Sequence, residues 1–168
     1  MTKDLLKYFG LLILLIALQL FLFNNIQLSG YINPYVYILF ILLLPLEIPG
    51  WLLLLLGFLT GLSVDTFMNT HGTHSSATLF MAFLRPYVLN FITQRDDIEK
   101  KGSPTMKNNG FNWFFRYALI LVLAHHLTLF LIENFSLVNF GITLWRAILS
   151  TVVTLVFVLT AQLLAMRR

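Results

Sequence analysis

The chain has 168 residues, 58% of them hydrophobic and 11% charged, with a mean hydropathy of +0.83. That composition lies outside the soluble range and points to one compact helical bundle in the lipid bilayer filling the length 1–168. Cysteine is absent, which excludes disulfides, thiol catalysis and cysteine-ligated metals, and the net charge of +4 is concentrated near the ends of apolar runs, a topology signal with no nucleic-acid surface behind it.

Six apolar runs are expected to cross the membrane: Leu5–Phe23, Pro34–Ile48, Trp51–Phe67, Ser75–Ile92, Trp113–Ile132 and Ile142–Met166. The first is longer than a signal-peptide core and is followed by Asn24-Asn25-Ile26-Gln27, with no small-residue cleavage site, so it reads as a retained span. The second is marginal for about 30 Å of hydrocarbon at about 1.5 Å per residue. Pro34 suits the first turn of its helix, and Pro45, Pro49 and Gly50 make a tight corner around Glu47. Trp51 and Trp113 open their spans where amphipathic rings favour the interface.

Charge placement decides the marginal span. With six spans, Lys3, Lys7, Arg95, Lys100, Lys101, Lys107, Arg116, Arg167 and Arg168 all share one side, and the loops Asn24–Asn33, Asn69–His74 and Glu133–Gly141 on the other carry no Lys or Arg. Five spans would split these cations, so six spans with both termini cytoplasmic follow from the positive-inside rule. The loop 93–112 is the one sizeable polar segment and reads as a solvated connector, with a docking site for a cytoplasmic partner as the alternative.

The third and fourth runs hold the most informative residues. Gly57, Gly61 and Asp65 recur at four-residue spacing, so a close-packing stripe leads to a carboxylate within the membrane, followed by Gly72 in a polar turn and by Arg85-Pro86 in the next run. An ionised group there needs a partner, and Arg146, near the outer end of the last span, matches the depth of Asp65 better than Arg85 does. A structural network of Asp65, Arg146, Gln19 and a histidine is the blandest outcome; a partner-binding groove and a proton path are the others. His125 and His126 point about 100° apart on a helix and cannot face one site alike. His71-x-x-His74 lacks a third ligand for a metal. No HExxH, serine elbow or phosphate-cradling loop is present, so neither catalysis nor a cofactor is expected.

A span ending in Gly61-x-x-x-Asp65, a glycine turn at Gly72 and a following span reaching Arg85-Pro86, within six short spans, resembles the bacterial rod shape-determining protein MreD family, in the form of its Bacteroidetes-type members. The resemblance implies an all-α fold of six transmembrane helices similar to the substrate-binding subunits of energy-coupling vitamin transporters. It also implies a non-enzymatic inner-membrane subunit acting with an MreC-like single-span periplasmic protein, an MreB-like filament and the cell-wall synthases. The rival expectation is a small-molecule (vitamin) binding subunit of a transporter.

Overall fold

The computed structural model describes residues 2–25, 32–93, 102–135 and 139–167, with side chains from residue 6 onward. These residues form α1 (Thr2–Phe21), α2 (Leu39–Leu43), α3 (Gly50–Met68), α4 (Thr73–Ile92), α5 (Met106–Asn109), α6 (Phe111–Asn134) and α7 (Phe140–Met166), with 3-10 turns at Phe23–Asn25 and Val36–Ile38. Among the described residues, four helical stretches are long and apolar enough to cross a membrane: Leu6–Asn25, Gly50–Met68, Phe111–Asn134 and Phe140–Met166. α4 has comparable length but carries more polar residues. The chain is therefore an all-helical bundle of membrane-protein character.

α3 packs on α4, α4 on α6 and α6 on α7, while α1 lies against α3 and the segment around α2. Leu55, Phe58, Leu59 and Leu62 of α3, Phe80, Phe83, Tyr87 and Phe91 of α4, and Trp145, Val152 and Val156 of α7 point outward. An apolar exterior around a core that contains buried polar side chains is the arrangement a bilayer demands.

The second apolar run departs from expectation. It is not one helix opening at Pro34: Pro34 and Tyr35 precede a 3-10 turn, the α-helix lasts only from Leu39 to Leu43, and Leu44 leaves it with ψ 148 ahead of Pro45. A proline at that point has no N–H to continue the ladder and disfavours the helical conformation in the residue before it. The segment nonetheless occupies the middle of the bundle, with Tyr37, Ile38, Ile41 and Leu42 wholly buried. The corner around Glu47 forms as expected, with the Ile48 amide reaching the Pro45 carbonyl at 3.4 Å and Pro49 preceding α3.

The second half of the loop 93–112 also differs from a solvated connector. The Gly102 carbonyl accepts from the Leu46 amide at 2.9 Å, Ser103 and Tyr8 share a hydrogen bond of 2.7 Å, and the Met106 amide donates to Gln162 Oε1 at 3.2 Å. With Met106 buried, residues 102–110 close one end of the bundle. The charged stretch 94–101, which holds Arg95, Lys100 and Lys101, lies outside the described residues.

Candidate functional site

The glycine stripe is consumed inside the fold. A Cβ on Gly61 would stand 2.5 Å from the His74 carbonyl oxygen and 2.5 Å from Ser75 Cα, and one on Gly57 would stand 2.8 Å from Ala82 Cβ. Only bare backbone lets α3 approach α4 so closely. The stripe therefore faces α4, so a neighbouring helix of the same bundle, and not a partner helix, packs along Gly57 and Gly61.

Asp65 sits where the stripe meets the turn. Its backbone carbonyl accepts from Asn69, in the left-handed conformation that ends α3, and from Thr70 at 3.1 Å. Its carboxylate accepts from Thr70 Oγ1 at 2.5 Å, the His74 amide at 3.0 Å, the Ser75 amide at 2.8 Å and the Ser75 hydroxyl. The His74 and Ser75 amides belong to the first turn of α4 and have no acceptor within their own helix, and the positive end of the helix dipole favours an anion there. Gly72, at φ +85, supplies the left-handed step that swings the chain into α4 but has no side chain to cap it, so Asp65 caps the helix from across the turn.

Arg146 is not the partner of Asp65. Its guanidinium lies over the Phe130 ring, 4.7 Å from the centroid, with Glu133 at 4.0 Å. The expected ion pair is replaced by a capping interaction because backbone donors surround the Asp65 carboxylate.

Arg85 is buried in the second half of α4, immediately before Pro86, which lies within the helix. Its Nε donates to Tyr117 Oη at 2.7 Å, its Nη2 to the Leu44 carbonyl, and both terminal nitrogens to the Pro45 carbonyl at 3.4 and 3.3 Å. Tyr117 in turn donates to the Leu42 carbonyl at 3.0 Å. These are the carbonyls left open where Pro45 ends α2, so a cation meets the negative end of a helix and satisfies its backbone at once.

The opposite end of the same segment is held by side chains from α1 and α7. Gln19 Oε1 accepts from the Val36 amide at 2.8 Å while its Nε2 donates to the Pro34 carbonyl at 3.1 Å. The Asn33 and Tyr35 amides donate to Ser150 Oγ and Thr154 Oγ1 at 3.2 and 3.1 Å. Thr154 also donates to His126 Nε2 at 3.2 Å, since His126 Nδ1 gives its proton to the Val122 carbonyl at 2.8 Å.

Tyr37 is the hub that the spacing of the sequence did not single out. Its hydroxyl lies 3.0 Å from His74 Nδ1, 2.8 Å from His125 Nε2 and 3.3 Å from Thr78 Oγ1, joining α4 and α6 to the central segment. The Tyr35 ring contacts the rings of His74, His125 and His126. His125 and His126 diverge as expected, one toward Tyr37 and the other toward Thr154.

Above this hub a depression of about 460 Å³ opens at the α3–α4 turn, lined by Tyr35, Asn69, His71, His74, Leu129 and Glu133 among others. Among the described residues no group of three or more His, Asp and Glu side chains is arranged to hold a metal ion. No family model, curated protein or solved structure matches the chain.

Proposed function

We propose that the chain is a non-enzymatic subunit of the bacterial cell-elongation machinery, of the MreD type, residing in the inner membrane, binding an MreC-like single-span periplasmic protein and helping to direct lateral peptidoglycan synthesis. In this reading the bundle makes six passes, the broken segment 34–48 being the second, with both termini and the loop 93–112 in the cytoplasm. The cations gathered on one side of such a topology support that orientation.

The observation that carries the reading is the interdependence of the residues on which the resemblance rests. Gly61 and Asp65 seat the start of α4, Gly72 makes the turn between them, and Arg85 fastens the far half of α4 to the central segment. Residues spent on holding a scaffold leave recognition to its outward faces, which suits a subunit that works by binding other membrane proteins. A second reading, the vitamin-binding subunit, is favoured by the depression at the α3–α4 turn.

Depletion in the native cell, with cell shape and partner capture measured together, tests the proposal. Rounded cells and co-purification of an MreC-like protein with the tagged chain are expected. Normal shape with a block in vitamin uptake would replace this reading with the second.

A further inference from the structure

We propose that the end of α7 holds one phospholipid of net negative charge, its headgroup at Arg167 and its acyl chains along Thr160, Leu163 and Leu164. The site is a hollow of about 540 Å³ on the outward side of the helix, lined among the described residues by Thr160, Leu163, Leu164, Met166 and Arg167. These positions place the cation at the end of the helix and the other side chains up to about 10 Å from it, at about 1.5 Å per residue. The Thr160 hydroxyl is spent within the helix, donating to the Val156 carbonyl at 2.7 Å, so it asks nothing of an occupant. A hollow with one cationic end and an otherwise apolar wall matches a molecule with an anionic head and hydrocarbon chains.

The charge around the hollow selects the headgroup. Residues 102–110 tie the start of α1 and the end of α7 to one end of the bundle, through the Tyr8–Ser103 hydrogen bond and the Met106 amide on Gln162. Lys7, Lys107, Arg116 and Arg167 are exposed there, and no ion pair joins any of them to a carboxylate among the described residues. Of the acids whose side chains are described, Asp65 and Glu133 belong to the opposite end, which leaves Glu47 alone on this one. The stretch 94–101 adds three cations, Arg95, Lys100 and Lys101, and three acids, Asp96, Asp97 and Glu99, so its composition leaves the excess as it is. A zwitterionic headgroup would bring its own ammonium to a face already rich in cations, whereas a net anion meets an uncompensated excess of the opposite sign.

Indole rings mark this end as the level of the headgroups. The corner that Gly102 holds at Leu46 leads into α3, where Trp51 in the first turn is 69% exposed, and Trp113 lies in the first turn of α6. Tryptophan gathers where hydrocarbon meets the polar headgroups. The opposite end shows the contrast: among the described residues its exposed charge is Glu133, and Arg146 is partly buried over Phe130. Anionic lipid is therefore favoured at one end of the bundle, and the hollow beside Arg167 gives a wall to the chains as well as a cation to the headgroup. The inference needs only the membrane character of the chain and holds whichever partner the bundle has.

The test is native mass spectrometry of the full chain released from detergent, titrated with phosphatidylglycerol and with phosphatidylcholine of the same acyl chains. One phosphatidylglycerol should bind in preference to phosphatidylcholine. Arg167→Gln should weaken it about fivefold, the worth of one cation at an anionic surface, while changing phosphatidylcholine little. Thr160→Trp, which fills the hollow and leaves the charge unaltered, should abolish the preferred phosphatidylglycerol. Both changes are at exposed positions, so unchanged melting of the two variants separates lost binding from lost folding. Glycerol phosphate, which has the charge without the chains, should not displace the lipid. Equal affinity for the two lipids, an equal loss with Arg116→Gln, undiminished binding in Thr160→Trp, or displacement by glycerol phosphate would each overturn the proposal. A shape phenotype on depletion bears on the partner reading alone, so the two can fail separately.

Discussion

Asp65 and Ser75 share one carboxylate oxygen, which accepts both the Ser75 amide, at 2.8 Å, and the Ser75 hydroxyl. Through this relationship the end of α3 specifies the beginning of α4, and the two helices meet as a fixed hairpin. Charge at position 65 is thereby a matter of backbone satisfaction: the carboxylate stands in for the acceptors that a helix start lacks.

Asp65→Asn turns one acceptor into an amide donor that faces other donors. The expected cost is about 2 kcal/mol or more of bundle stability, from the loss of charge-assisted bonds, read as a lowered unfolding midpoint in detergent. Because Arg146 touches Phe130 and Glu133, the double change Asp65→Asn with Arg146→Gln should be additive within about 0.5 kcal/mol. Recovery in the double variant would restore the ion pair rejected above.

Gly61→Ala should be worse than Gly57→Ala. At Gly61 the new methyl meets backbone atoms of His74 and Ser75 on the turn side of α4, whereas at Gly57 the nearest atom is the Ala82 methyl. Overpacking of this kind costs about 1–3 kcal/mol. The pair Gly57→Ala with Ala82→Gly, in which one methyl takes the place of the other, should recover part of the loss, and yield and melting of the purified variants decide it.

Tyr117→Phe removes the acceptor of Arg85 Nε and the donor to the Leu42 carbonyl together. Combined with Arg85→Gln in a double-mutant cycle it should show a coupling of about 1–3 kcal/mol. Independent losses would mean that the guanidinium and the phenol do not act as one clamp.

Tyr37→Phe should destabilise the bundle by about 1–3 kcal/mol although it deletes a single oxygen, because His74 and His125 each lose a buried partner. Thr66→Ala provides the contrast: its hydroxyl bonds only within α3, to the Leu62 carbonyl, on an exposed face, and its removal should leave melting nearly unchanged.

Cysteine labelling in intact cells tests the six-pass reading. His71→Cys and Lys107→Cys, both at exposed positions, should label from opposite sides of the membrane, His71 from the periplasm. Labelling of position 107 from outside would overturn it.

Helix positions were legible because apolar runs of membrane length have few alternatives, and α3, α6 and α7 begin and end within a few residues of the expected bounds. Gly57, Gly61 and Asp65 were visible as a stripe, but spacing gives a face and not its neighbour, so α4 could not be told from a partner. Asp65 and Arg146 were matched by depth alone, a measure blind to the amides of His74 and Ser75. Tyr35 and Tyr37 escaped notice because, in a run of aromatic and aliphatic residues, a hydroxyl that joins two histidines looks like any other buried ring. The break at Leu44 was announced by Pro45, yet its repair by Arg85 depends on a residue 41 positions away.

The broken segment 34–48 bears on how the protein is made. The amides of Asn33, just before it, and of Tyr35 within it are satisfied by Ser150 and Thr154, 117 and 119 residues downstream, and its carbonyls at Leu44 and Pro45 by Arg85. Open backbone of this kind cannot stand in hydrocarbon unaided. During synthesis the segment must wait beside the translocation machinery, or at the water boundary, until α4 and finally α7 have emerged. This early segment is then the last to be completed, and a chain truncated before Ser150 would expose it to quality control rather than to lipid.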